Sequence, residues 1–78
     1  MTEAELIKQK EKFAKTIKWR KDVNEGWAGE VKLADGYGCG VHASKDLKAR
    51  EAKSMIKERL YNLAVETAML RGTKIILN

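Results

Sequence analysis

The dipeptide Asp35-Gly36 separates two stretches of alternating apolar residues, and this constrains the fold more than any other feature of the chain. It predicts a β-hairpin. Trp27, Gly29, Val31 and Leu33 share one face of the first stretch. A two-residue loop would set Leu33 opposite Gly38 and Val31 opposite Gly40, which wastes that face. A three-residue loop, Ala34-Asp35-Gly36 with Gly36 left-handed, instead pairs Leu33 with Tyr37, Val31 with Cys39 and Gly29 with Val41. The longer loop is therefore expected, with strands over about residues 27–34 and 37–43. Gly38, Gly40 and His42 then lie on the opposite face beside Ala28, Glu30 and Lys32.

Helical patterns flank the hairpin. Thr2 and Glu5 have the spacing of a capping box, and Leu6, Ile7, Phe13, Ala14 and Ile17 recur at helical intervals. A basic amphipathic helix over about residues 3–20 follows, ended by Asn24, Glu25 and Gly26. Ser44 as N-cap, Asp46 in the first turn and Arg71-Gly72 at the far end predict a long second helix over about residues 45–71. Its Ala49, Ala52, Ile56, Leu60, Leu63, Thr67 and Leu70 form one stripe, while Tyr61, Val65, Ala68 and Met69 make a second apolar surface. A sheet can cover only one of these. Either the first helix or an identical subunit must cover the other, and a homodimer through the long helix is favoured. That helix is nearly 40 Å long at about 1.5 Å per residue, and it overhangs strands of about 23 Å. Thr73 to Leu77 is β-branched and aliphatic and reads as a third strand, over residues 73–77. The expected fold is α+β in the order α-β-β-α-β: a three-stranded sheet, hairpin plus C-terminal strand, packed on the long helix. All 78 residues fit one small domain.

Composition narrows the function. One cysteine, Cys39, cannot form an internal disulfide, and no Cys/His cluster supplies the ligands of a structural zinc. A reducing, cytoplasmic setting with no metal or other cofactor is expected. Uninterrupted apolar runs such as Leu63 to Val65 and Ile75 to Leu77 fall far short of the roughly 20 residues that span a bilayer. Glu3, Glu5 and Glu11 are atypical of a transit peptide. Cys39 and His42, three apart in a strand, point to opposite faces and cannot act as nucleophile and base. The eleven carboxylates are scattered or explained by helix capping, so no enzyme is expected. Gly36-Tyr-Gly-Cys-Gly40 lacks the glycine spacing of the nucleotide-binding loops. Gly38 and Gly40 instead mark either a strongly twisted hairpin or a surface that a partner's backbone approaches closely.

What remains is charge. The net charge is +5, but between positions 8 and 21 the seven cations Lys8, Lys10, Lys12, Lys15, Lys18, Arg20 and Lys21 face one acid, Glu11, a local excess of +6. Helical phase sets Lys8, Lys12, Lys15 and Trp19 opposite the Leu6, Phe13, Ile17 stripe, with Arg20 and Lys21 following. Cations that neutralise phosphates beside a ring that stacks suit a nucleic-acid surface. A second row, Arg50, Lys53 and Lys57, spans about 10 Å of the long helix. The expectation is a small, non-enzymatic basic protein that contacts nucleic-acid backbone through these cations. The alternative is a regulator or inhibitor of the phage-accessory kind, docking its cations on an acidic protein surface with the glycine hairpin laid against the partner. Small size, the lack of catalytic groups and a chain starting at Met1 suit that alternative.

Overall fold

The computed structural model describes residues 1–78, which form a helix, three antiparallel strands and a long C-terminal helix. These are α1 (Glu3–Ala14), β1 (Lys18–Asp22), β2 (Gly26–Lys32), β3 (Gly38–His42) and α2 (Ala49–Arg71). The fold is α+β, with one sheet in the order β1-β2-β3 and α2 packed on β2 and β3. No helix is long and apolar enough to cross a membrane.

The hairpin has the register that the alternation of side chains requires. Val31 stands opposite Cys39 and Gly29 opposite Val41, and Gly36 is left-handed at φ 90°. The Leu33 N–H donates to the Tyr37 carbonyl at 2.8 Å, closing the three-residue loop. Ala28, Glu30 and Lys32 lie opposite His42, Gly40 and Gly38 on the outer face.

The third strand is not the expected one. It is β1, cut from the segment read as the end of the first helix, whereas residues 73–77 join no sheet. The helix stops at Ala14, where the Thr16 hydroxyl donates to the Phe13 carbonyl at 2.7 Å and β-branched Thr16 and Ile17 favour extended backbone. From Ile17 onward an alternation replaces the helical period, with Ile17 and Trp19 inward and Lys18 and Arg20 outward. The Asp22 carboxylate then accepts from the Asn24 and Glu25 N–H groups at 2.7 and 3.2 Å, and this Asx-type turn folds β1 back onto β2. The C-terminal residues run as an extended strap. The Lys74 carbonyl accepts from Ala34 N–H at 2.9 Å, and the Asn78 N–H donates to the Lys12 carbonyl at 3.3 Å. One bond to each of two elements is too few for a ladder, although Ile75 packs against the core.

The second helix also begins later than its sequence suggests. Ser44 closes a separate turn, its hydroxyl accepting from Asp46 N–H at 3.3 Å, and the helix starts after an extended Lys48 that offers no side-chain cap. Its other end is as expected: Gly72 is left-handed, and its N–H and that of Thr73 both reach the Ala68 carbonyl.

Twelve apolar residues form the core, with Phe13, Leu33, Ile56 and Leu60 almost fully enclosed. Along α2 the buried stripe is Ala52, Ile56, Leu60, Ala64 and Ala68 with Tyr61, whereas Ala49, Leu63 and Leu70 of the expected stripe are exposed. The sheet covers the N-terminal half of α2, and α1 lies on Tyr61 further along. Phe13 meets the Tyr61 ring edge-to-face at 5.4 Å, Gln9 Nε2 donates to the Tyr61 hydroxyl at 2.9 Å, and Lys10 pairs with Glu58 at 3.1 Å. The first helix thus supplies the cover that Tyr61 needs, while Met69 stays 77% exposed and Leu70 82%.

Arg71 ties the end of α2 to the hairpin loop. Its Nε donates to Asp35 at 3.0 Å, and its guanidinium lies 4.1 Å from the Tyr37 ring centroid. The Tyr37 N–H, and after it Arg71, hold the Asp35 carboxyl below the ordinary carboxylate value. A depressed carboxyl adds stability above its unfolded pKa of about 3.9 and loses it as pH falls through the folded value. Thermal melts of the wild type and Asp35→Asn are therefore expected to differ at neutral pH and to converge in acid. A difference that grows on acidification would contradict this.

Candidate nucleic-acid interface

Ending α1 at Ala14 redistributes the cations that the sequence placed on one helix. Lys8 and Lys12 remain exposed on α1 and Lys15 is its exposed C-cap, so they still form a row. Trp19, Arg20 and Lys21 belong to β1, where successive side chains point to opposite faces. Trp19 therefore turns inward rather than joining the lysine face of α1. It is half-buried against the core, beside Gly29, where any Cβ would sit 2.7 Å from Ile56 Cγ2 and 3.0 Å from Ile17 Cγ2.

Trp19 meets Trp27 edge-to-face, with ring centroids 6.4 Å apart at 85°. Both rings are flanked by lysine. Lys53 Nζ, on α2, lies 4.3 Å from the Trp27 centroid and 5.9 Å from that of Trp19, and Lys21 Nζ lies 5.6 Å from Trp27. Tryptophan faces attract cations, so these contacts bring two ammonium groups to the Trp27 ring at the β1 edge. Arg50 and Lys57 stand exposed about one turn to either side of half-buried Lys53. The structure thus gathers Trp19, Lys21 and the row Arg50, Lys53, Lys57 into one cationic edge, and it leaves Lys8, Lys12 and Lys15 as a second row on α1. Trp27 is the participant the sequence reading missed; the pairing of Trp19 with Gly29, which places Trp27 two residues along on the same face, exists only once Trp19 lies on a strand.

Arg20 goes elsewhere. With Lys18, Ala28, Glu30, Gly40 and His42 it lines a shallow trough of about 540 Å³ on the outer sheet face, which no helix covers. A Cβ at Gly38 would meet nothing within 4 Å, and at Gly40 the nearest atom is the Gly29 carbonyl oxygen at 3.7 Å. Packing within the chain therefore requires neither glycine, and Gly40, which lines the trough, leaves its floor without a side chain.

Only two of the sixteen lysines and arginines, Lys10 and Arg71, lie within 4.0 Å of a carboxylate. Both cationic rows are consequently unpaired, and Lys53 and Lys57 repel each other at i, i+4. No protein-family model, curated protein or solved structure matches this chain.

The new place of Trp19 changes what its removal should do. A fully buried Trp→Ala change costs about 3–5 kcal/mol, so a half-buried ring should account for roughly 2 kcal/mol. Trp19→Ala is expected to melt measurably lower than the wild type, and an unchanged melt would place the ring outside the core.

Proposed function

We propose that this protein is a non-enzymatic nucleic-acid-binding protein that grips the phosphate backbone through two cationic rows. These are Lys21, Arg50, Lys53 and Lys57 at the β1–α2 edge, and Lys8, Lys12 and Lys15 on α1. The observation that carries the reading is the unpaired state of these cations, two of which, Lys21 and Lys53, lie over the Trp19–Trp27 pair. Like charges held together without counter-charges repel one another, and a polyanion relieves that repulsion while releasing its own condensed counterions. Contacts of this kind position a nucleic acid without reading its sequence.

The double variant Arg50→Ala/Lys57→Ala tests the proposal, because both side chains are exposed and their loss should leave the melt nearly unchanged. Removing two phosphate contacts should weaken binding to all sequences alike and lower the slope of log K against log salt by about 2. Unaltered affinity and slope would contradict it.

One feature favours a second reading, a regulator that docks on another protein. The exposed Met69 and Leu70 lie at the end of α2 that Arg71 fastens to the glycine hairpin, and exposed apolar surface of this kind suits a protein partner. Co-purification of one protein from a cell extract that survives nuclease treatment, and is lost on Met69→Ser/Leu70→Ser, would favour that reading.

A further inference from the structure

We infer that the nucleic acid held by this surface is a double helix and not a single strand, an inference that rests on the reading proposed above. Proteins that hold single strands stack successive bases on exposed aromatic rings inside a positive groove. This chain has five aromatic residues, and each is already engaged within the fold. Phe13 and Tyr61 are buried against one another. Trp19 and Trp27 meet edge-to-face, half-buried, with Lys53 and Lys21 lying over them. Tyr37 is the most exposed of the five, and its ring carries the Arg71 guanidinium, which Asp35 fixes in place. An unpaired base that stacked on the cation-bearing face of Trp27 or Tyr37 would have to displace Lys53, Lys21 or Arg71, which would then lose its aromatic partner.

A duplex makes no such demand. Its bases are already stacked and paired, and it presents about one charge per 1.7 Å of axis, twice the density along a single strand. The cations suit this partner: they stand in two rows, each about 10 Å long, one on α1 and one on α2. The molecule is 36 Å in its longest dimension, close to one helical turn of about 34–36 Å. One protein can therefore lie along a turn of duplex and contact backbone at more than one point.

Fluorescence anisotropy separates the possibilities. The full chain is titrated into a labelled mixed-sequence duplex of two turns, ~20 base pairs, and into each constituent strand, at about 50 mM salt, in DNA and RNA versions. Tryptophan emission is recorded in parallel. The expected result, in at least one of the two chemistries, is a duplex affinity about tenfold or more above that of either strand, with no quenching by the strands. Equal or tighter binding of a single strand, with quenched tryptophan emission, would overturn the inference and leave the cationic-surface reading standing. No binding of either form would overturn both.

Discussion

Raising the salt from about 50 to about 200 mM is expected to weaken nucleic-acid binding by about 10³-fold. The estimate follows from phosphate neutralisation, since about six contacts at 0.9 per contact give a slope near −5 for log K against log salt. Seven cations are available for those contacts: Lys8, Lys12 and Lys15 on α1, Lys21 on β1, and Arg50, Lys53 and Lys57 on α2. None has a carboxylate within 4.0 Å to compete with a phosphate. Binding titrations over that range give the slope directly, and a slope near zero would assign any observed affinity to contacts other than phosphate.

The largest effect on stability is expected from Phe13→Ala. Phe13 is 1% exposed, meets Tyr61 edge-to-face and is the only residue of α1 buried in the core, so α1 depends on it for docking. Truncating a ring in such a site costs about 3–5 kcal/mol. A chain of this size has a stability of about 4–12 kcal/mol in total, so the variant should be partly or wholly unfolded at ambient temperature. Circular dichroism would show a lost or strongly lowered transition. A melt within a few degrees of the wild type would mean that α1 contributes little to the fold, and the α1 cations would then have no fixed position.

The β2–β3 hairpin was legible because strand alternation repeats every two residues and a slip of one turns every side chain over. Only one loop length kept Val31, Leu33 and Cys39 on the same face, and the structure uses it. The left-handed Gly72 after Arg71 was legible for a similarly local reason. The β1 strand was harder to see. Ile17 stands four residues after Phe13, so it continues a helical stripe as well as it begins an alternation, and the lysines around it fit the outside of either element. What decided between them was tertiary: Ile17 packs beside Gly29 and Ile56, a contact that exists only once the sheet has formed. The apolar tail 73–77 failed in the opposite sense. Its residues suit a strand, but its hydrogen-bonded neighbours, Ala68 at Thr73 and Ala34 at Lys74, both lie outside the sheet.

The candidate site inherited both outcomes. Arg50, Lys53 and Lys57 kept the spacing expected of them, because α2 is a helix throughout that segment. Trp19, Arg20 and Lys21 were grouped as the end of a cationic helix face, and their faces followed from the wrong element. On a strand, Arg20 parts from its neighbours, and Trp19 becomes a support for Lys53 in place of a stacking surface. Lysine periodicity on a helix can thus be read from sequence alone, whereas the crowding of Lys21 and Lys53 around two tryptophans joins residues far apart in the chain.

The central claim, that these two rows and not the outer sheet face hold the nucleic acid, is tested most directly by following backbone amide resonances as a short duplex is added to the labelled protein. The account predicts that the largest shifts fall at Lys21, at Arg50 through Lys57, and along Lys8 to Lys15. Shifts confined to Lys18, Ala28, Gly40 and His42 in the outer trough, or to Met69 and Leu70, would contradict it.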